Sequence, residues 1–404
     1  MLLVSSISAC SAPDSGSIIE GDLRIELSAE KGLQIFHQNL EILSSQSAPG
    51  EGSSLRKGES YQPFSSSQTL ERDLEEQYGY YTFEDEITPF TGLVVTAVRN
   101  KGDNLLAFEL GDSGSGTLSI DGASIRLRWS QNEESTERLA MTFACQESDQ
   151  FFGLGAHVSP EHRGFNVPIW VSEQGHGKVN RDQTSPVFFV GEHYSSYAPI
   201  PFTLTNRPLG VLLDTTERSH FELCTHENSL RLEVQGPVFE MVVFVGDSMA
   251  AVLSSFTEST GRLTPPARWN LAPIIDAGGG PEKIKELAEM ARAEQIPASA
   301  IWVEDWVGVQ EALGGEHLHY NWEVDDSRYP NFSSLTNEME SQGLRFLTYV
   351  SPYIPNDTRA AAEGLDNGYL VVDAEGEPIV IEYPWGSPPY YFDVTTPGAE
   401  TWFQ

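Results

Sequence analysis

The chain has 404 residues, 59 of them Asp or Glu against 24 Lys or Arg, for a formal net charge of −35. That length points to two or more cores, and 39% hydrophobic with 10% aromatic residues is a globular composition, not a disordered one. So acidic a chain argues against nucleic acid or an anionic membrane surface as partner, since both call for basic patches.

Residues 1–20 read as a signal-like segment and tether. Met1–Ala9 is apolar and small, and Ile7-Ser8-Ala9-Cys10 resembles a bacterial lipobox, whose cysteine is lipidated. The stretch is shorter than an ordinary signal peptide and lacks a basic leading region. The expectation is an exported protein, periplasmic or on the cell surface, with a lipid anchor on Cys10. Elsewhere no run is apolar for the ~18 residues that a membrane-spanning helix needs.

Residues 21–264 read as an antiparallel β-sandwich. Short alternating or apolar runs such as DLRIEL (22–27), SIRLRW (124–129), LRLEVQG (230–236) and FEMVVFVG (239–246) are separated by Gly, Asn, Asp and Ser. The Ser-rich interval from Ser44 to Ser67 reads as a long surface excursion. Cys145 and Cys224 follow apolar residues in strand-like runs and read as buried free thiols in preference to a disulfide. With no CxxC, neither zinc nor thioredoxin chemistry is indicated. WVSEQGHGK (170–178) is a Gly-rich turn flanked by an aromatic and carrying Glu173, Gln174 and His176, which makes it a candidate binding loop. Met249–Gly261 is a short helical pattern, broken after it by Pro265-Pro266.

From 265 to 404 the pattern changes to strands alternating with amphipathic helices. LAPIIDAG (271–278), SAIWVED (299–305) and LRFLTYVSPY (344–353) read as strands. PEKIKELAEMARAEQ (281–295) reads as a helix with Pro281 at its first position and Ile284, Leu287, Ala288 and Ala291 on one face. NFSSLTNEMESQG (331–343) is a helix closed by Gly343, and NDTRAAAEGLDNG (356–368) a helix with Asn356 as its cap. Such alternation indicates a parallel sheet and, with chemistry-bearing residues at strand ends, a (β/α) barrel of which about three units are present.

The densest chemistry lies in AIWVEDWVG (300–308) and YNWEVDDSRYP (320–330). Glu304 and Asp305 are adjacent, so on a strand they point to opposite sides and do not make the carboxylate pair of glycoside hydrolysis. One is placed to hydrogen-bond sugar hydroxyls and the other to brace the scaffold. Trp306, Tyr320 and Trp322 are candidates to stack on sugar. His317 and His319 have a spacing that suits a metal on a strand, but no third ligand converges, so no metal or other cofactor is expected. Arg328 reads as a loop anchor. There is no G-x-S-x-G, P-loop or G-x-G-x-x-G after a strand, which leaves acyl and phosphoryl transfer without support.

FFGLGAH and HRGFNVPIWVSEQGHGK, then TPPARW, IPASAIWVEDWVG, YNWEVDDSRYPNF and GLRFLTYVSPYI, then YYFDVTTPGAETWF, together resemble glycoside hydrolase family 31, in its bacterial α-glucosidase and sulfoquinovosidase branch. The resemblance implies a mutarotase-like N-terminal sandwich, then a (β/α)8 TIM barrel that hydrolyses α-linked sugars with retention through an Asp nucleophile and an Asp acid/base. It implies that Glu304 and Asp305 contact the sugar, and that Glu173, Gln174 and His176 sit on a loop reaching the barrel mouth. His317 and Tyr320 occupy positions where sulfoquinovosidases hold a sulfonate with Arg and Trp, which favours a neutral α-glycoside or oligosaccharide over an α-sulfoquinovoside. The family's nucleophile is expected beyond Gln404, Asp393 being a preceding structural residue. On this reading the chain is truncated before its catalytic aspartates and inactive as it stands, the alternative being a non-catalytic carbohydrate-binding fragment.

Overall fold

The computed structural model describes residues 15–45, 63–77, 80–132, 136–171, 194–226 and 229–404. The chain divides into two compact units, Met1–Asp73 with Phe83–Arg262, and Leu74–Thr82 with Leu263–Gln404. Among the described residues no helix is long and apolar enough to cross a membrane.

The first unit is a mutarotase-like β-sandwich of an eight-stranded and a six-stranded antiparallel sheet, with a four-stranded meander from Ser15–Glu20 to Leu40–Ser44. Strand Ser124–Gln131 shows how alternation builds it. Ile125, Leu127 and Trp129 are buried in the core, while Arg126, on the opposite face, forms ion pairs with Asp214 and Glu240. Phe64 and Trp129 meet edge to face at 5.6 Å, and Trp129 meets Phe239 at 5.9 Å. Helix Met249–Thr260 starts at Ser248, whose hydroxyl accepts from the Ala251 amide, and stacks Phe256 on Phe202 at 3.8 Å.

Two expectations are corrected in this unit. Phe64–Ser67 is not surface excursion but a strand of the six-stranded sheet, paired with Arg138–Ala144. Its serines are buried because small hydroxyls fit there and find partners, Ser67 accepting from the Arg138 guanidinium at 3.1 Å. Residues 46–62 lie outside the described residues. Cys145 and Cys224 are joined as a disulfide, with Cα atoms 6.0 Å apart. They lie 79 residues apart in sequence, and sheet order brings them together: both their strands flank Ser229–Val234.

The second unit is a partial TIM-barrel domain. Strands Ile274–Ala277, Ala300–Val303 and Arg345–Thr348 form a parallel sheet in that order. Helix Pro281–Ala293 has Pro281 in its first turn and buries Ile284, Ala288 and Ala291, as its spacing requires. Helix Phe332–Ser341 buries Leu335 and Met339, and the chain leaves it through Gly343 at φ 83°.

Three local readings change here. Helix Arg359–Asn367 is capped by Thr358, not Asn356, since Thr358 has the extended backbone of a cap and accepts from the Ala361 amide at 3.1 Å. The expected strand 344–353 stops at Thr348, and Tyr353–Pro355 pairs instead with Pro389–Tyr391. The histidine-bearing loop is a hairpin, Val309–Ala312 with Gly315–Leu318.

Candidate functional site

Register in the parallel sheet sorts its side chains onto two faces. Ile275, Ile301 and Phe346 are aligned, as are Ala277 and Val303, and all five pack in the core formed with the helices. The alternate row is Asp276, Trp302 and Leu347. Asp276 is exposed and Trp302 is 37% exposed, so this row presents an acid and an indole on the opposite face.

Just past Val303 the chain turns into a short 3-10 segment, Asp305–Val307, and the adjacent carboxylates part. Asp305 is buried. Its Oδ2 accepts from the Gly279 amide at 2.8 Å and from Arg328 Nε at 2.6 Å, and its Oδ1 accepts from the Tyr329 hydroxyl. Tyr329 in turn accepts from the Gly280 amide at 3.2 Å. A side chain at Gly278 would press on Asp305 at 3.2 Å, so glycine there lets the strand end approach the carboxylate. Asp305 thereby ties the strand end, the Gly-rich turn before helix Pro281–Ala293 and the segment at Arg328 into one rigid knot.

Glu304 is half-buried, and its carboxylate has no hydrogen-bond partner among the described residues. Burial, and then the charges of Asp276 and Asp305, raise its pKa above the ordinary 4.5. Tyr320 lies close enough for Glu304 to push the phenol's pKa up, although burial is the larger cause and Tyr383 the next. Burial raises the pKa of the Tyr383 phenol as well.

Aromatic rings continue outward from this acid. Trp302 and Tyr349 meet at 6.2 Å, Tyr349 and Tyr320 at 5.9 Å, Tyr383 and Trp385 at 5.3 Å, and Trp385 and His317 at 6.3 Å. Carboxylates accept from sugar hydroxyls, and flat rings cover the apolar faces of pyranoses. An acid without a described hydrogen-bond partner beside a run of rings has the chemistry that carbohydrate recognition calls for. Among the described residues no group of three or more His, Cys, Asp or Glu could hold a metal ion.

The structure places the residues singled out from sequence as follows. Tyr320 and His317 each belong to the ring contacts above, Tyr320 against Tyr349 and His317 against Trp385, with the His317 ring fixed by a 2.8 Å contact between Nε2 and the Leu313 carbonyl. Trp306 lies in the core, its indole N–H donating to the Tyr349 carbonyl at 2.7 Å. Trp322, at φ 60°, donates to the Ser351 carbonyl and packs with Phe392 and Trp402. His319 faces Asp357 at 3.5 Å, and Arg328 anchors its loop through Asp305. Asp393 accepts from the amide and hydroxyl of Thr395 and from the Thr396 hydroxyl, a self-contained turn. Glu173, Gln174, His176 and Cys10 lie outside the described residues. Sequence reasoning missed Asp276, Tyr349, Tyr383 and Trp385, for which the available signals were a carboxylate closing the LAPIIDAG strand and the aromatic-rich YPWG turn.

Residues 266–404 match the model of the glycosyl hydrolases family 31 TIM-barrel domain, and residues 82–222 that of the glycosyl hydrolase 31 N-terminal galactose mutarotase-like domain. A sulfoquinovosidase of Agrobacterium fabrum is 29% identical over 339 residues, spanning 80% of this chain and 49% of that protein. A sulfoquinovosidase of Escherichia coli is 25% identical, over 82% of this chain and 50% of its own length. A family 31 sulfoquinovosidase from E. rectale, solved with an aza-sugar inhibitor, superposes with a TM-score of 0.77 at 21% identity, covering 96% of this chain and 56% of that one. The chain thus spans about half the length of the curated relatives it matches.

Proposed function

The chain belongs to glycoside hydrolase family 31, and from that premise we propose that it supplies the sugar-holding wall of a retaining α-glycosidase that takes neutral α-glycosides. The observation that carries this reading is the Glu304 carboxylate, half-buried just past strand Ala300–Val303 beside the aligned Asp276 and Trp302, and without a hydrogen-bond partner among the described residues. In this role Glu304 accepts from sugar hydroxyls and Asp276 supports it from the neighbouring strand, while Trp302 and Tyr349 cover a ring face. Asp305 acts as a brace, and the double displacement of a retaining enzyme proceeds through two further carboxyl groups.

Charge favours a neutral substrate. Arg328 is committed to Asp305 and Glu316, and Arg359 to Glu323 and Glu363, whereas Glu304 and Asp276 add negative charge to the wall. The competing reading is an α-sulfoquinovoside, which the names of the two relatives favour. Calorimetry separates them. Methyl α-glucoside is expected to bind and to lose affinity in Glu304→Gln, and tighter binding of sulfoquinovosyl glycerol would reverse the assignment. Turnover of p-nitrophenyl α-glucoside distinguishes hydrolysis from carbohydrate binding alone.

We also propose export. The Cys145–Cys224 disulfide supports it, since such bonds persist in oxidising compartments and are rare in the cytosol. A lipid on Cys10 is the accompanying proposal; Cys10→Ser should release the protein from the membrane fraction, and unchanged membrane retention would count against it.

A further inference from the structure

The Cys145–Cys224 disulfide differs on its two sides in charge, exposure and backbone geometry. Cys145 follows strand Arg138–Ala144 and is buried. Arg163 reaches it: Nη1 lies 3.5 Å from Cys145 Sγ and donates to the Gln146 and Asp149 carbonyls at 2.9 and 2.8 Å. The Asp149 and Glu161 carboxylates of the same two loops are engaged elsewhere, Asp149 with Arg207 and Glu161 with the Phe151 and Arg163 amides. Among the described residues no carboxylate forms an ion pair with Arg163, so its charge is left for the sulfur and the two carbonyls. Cys224 lies in strand Ser219–His226 and is only partly buried. Pairing with Ser229–Val234 runs to Leu223 opposite Leu230 and resumes at His226 opposite Ser229, so Cys224 and Thr225 bulge from the ladder. Cys224 takes φ 57°, a left-handed conformation that a residue with a side chain keeps only where its surroundings hold it. The bond to Cys145 is one of those restraints.

We infer that this disulfide is a site of thiol–disulfide exchange in the folded protein, taking a dithiol reductant, with Cys224 the sulfur attacked and Cys145 the sulfur released. In the first step a thiolate of the reductant bonds to Cys224 Sγ, the Cys145–Cys224 bond breaks, and its electron pair stays on Cys145 as a thiolate beside Arg163. In the second step the reductant's other thiol, having lost its proton to water, attacks its own sulfur in the mixed disulfide. The reductant leaves as a cyclic disulfide, and Cys224 departs as a thiolate that takes up a proton. Two electrons pass from the dithiol to the two cysteines. A guanidinium beside a sulfur favours thiolate over thiol, and a stabilised leaving thiolate makes a disulfide both faster to open and easier to reduce. Opening the bond also frees Cys224 from its left-handed backbone. Attack on Cys145 would instead meet the buried sulfur and leave the charge on the one that Arg163 does not contact. Because both cysteine-bearing segments flank Ser229–Val234, the redox state sets how firmly the six-stranded sheet is fastened at this point.

The test is reduction of the whole chain by dithiothreitol at mildly alkaline pH without denaturant, Cys10 having first been blocked with iodoacetamide. The bond should open faster than the chain unfolds, the unfolding rate being read by fluorescence after urea jumps and extrapolated to water. Opening no faster than unfolding would overturn the inference. With glutathione, a mass map should find the mixed disulfide on Cys224 and the alkylated thiol on Cys145, and the reverse pattern would overturn the assignment of the two sulfurs. Arg163→Met should raise the ratio of reduced to oxidised dithiothreitol at half-reduction about tenfold and slow the opening, while Arg163→Lys should stay near the native values. An arginine that only ties the 146–149 loop in place predicts the opposite sign, because loosening that loop exposes the bond and hastens its reduction. Faster or unchanged reduction of Arg163→Met would therefore count against the inference. Should that variant fail to fold, the rate and the map on the native chain decide.

Discussion

Glu304 and Asp305 are consecutive residues with opposite employment. Asp305 spends both oxygens on the protein, accepting from Gly279, Arg328 and Tyr329, whereas Glu304 offers its carboxylate to no described hydrogen-bond donor. The chain leaves the strand at Val303 and turns through Glu304 into the 3-10 segment Asp305–Val307, and that turn buries one acid and leaves the other half-exposed. Recognition is precise only if its scaffold is stiff, and on the proposed reading the stiffening Asp305 sits beside the recognising Glu304.

That division predicts unlike phenotypes. Asp305→Ala leaves the Arg328 guanidinium, the Gly279 amide and the Tyr329 hydroxyl without their acceptor, and is expected to cost about 3 kcal/mol in urea unfolding. Glu304→Gln should leave the unfolding midpoint at neutral pH unchanged or higher while weakening sugar binding. Equal destabilisation by the two variants would contradict the assignment of roles.

The pH dependence of Glu304 follows from the direction of its shift. Burial first, then Asp276 and Asp305, raise its folded pKa above the ordinary 4.5. Within the window between the two values the folded state holds more proton than the unfolded one, so Glu304 lowers stability as pH rises through it, and the cost is complete above the folded pKa. Glu304→Gln should therefore stabilise the protein at pH 7 and not below pH 4.5, as read from urea midpoints. Asp276→Asn should move the titration downward. Sugar affinity should fall on acidification through the same window, because a protonated Glu304 has lost acceptor strength.

Local pattern made the second unit's helices legible. The spacing of Ile284, Ala288 and Ala291 fixes the buried stripe of Pro281–Ala293 before any neighbour is known. The parting of Glu304 and Asp305 was expected from strand alternation, but both lie past the strand, and it is the turn into Asp305–Val307 that separates them. What escaped was non-local. Asp276 gains meaning only from its alignment with Trp302 in the next strand, and Tyr383 and Trp385 only from the grip of Gln310 and Asp357 on their turn. The polar strand Phe64–Ser67 was hidden because its serines are satisfied from another strand, by Arg138 in the case of Ser67.

The disulfide has a measurable consequence. Cys145 and Cys224 tie two strands on either side of Ser229–Val234 across a separation of 79 residues. A crosslink over so long a loop restricts the unfolded chain, and its loss is worth about 2–5 kcal/mol. Dithiothreitol, or Cys145→Ser, should lower the unfolding midpoint accordingly, and thiol titration of the unreduced denatured protein should find neither cysteine reactive. Full reactivity of both would remove the bond and the case for export built on it.

Acid stability should depend on Glu233. This carboxylate is buried in the six-stranded sheet and forms a two-pronged ion pair with Arg138 at 2.9 and 3.0 Å. Phe90 lies under the guanidinium groups of both Arg138 and Arg231, at 4.3 and 3.9 Å. Burial works against ionisation and is the largest single influence, but His220, Arg138 and Arg231 together outweigh it and hold the pKa at about 2. A depressed folded pKa stabilises above the unfolded value of 4.5, and that contribution is lost as pH falls through about 2. Glu233→Gln should thus cost on the order of 3 kcal/mol at pH 7, with the difference from the native protein narrowing toward pH 2. The narrowing separates two causes. If the variant were weak only because an amide packs worse than a carboxylate, the deficit would be the same at every pH. A deficit that closes on acidification means that the lost quantity is the charge itself, held in the sheet by its arginines.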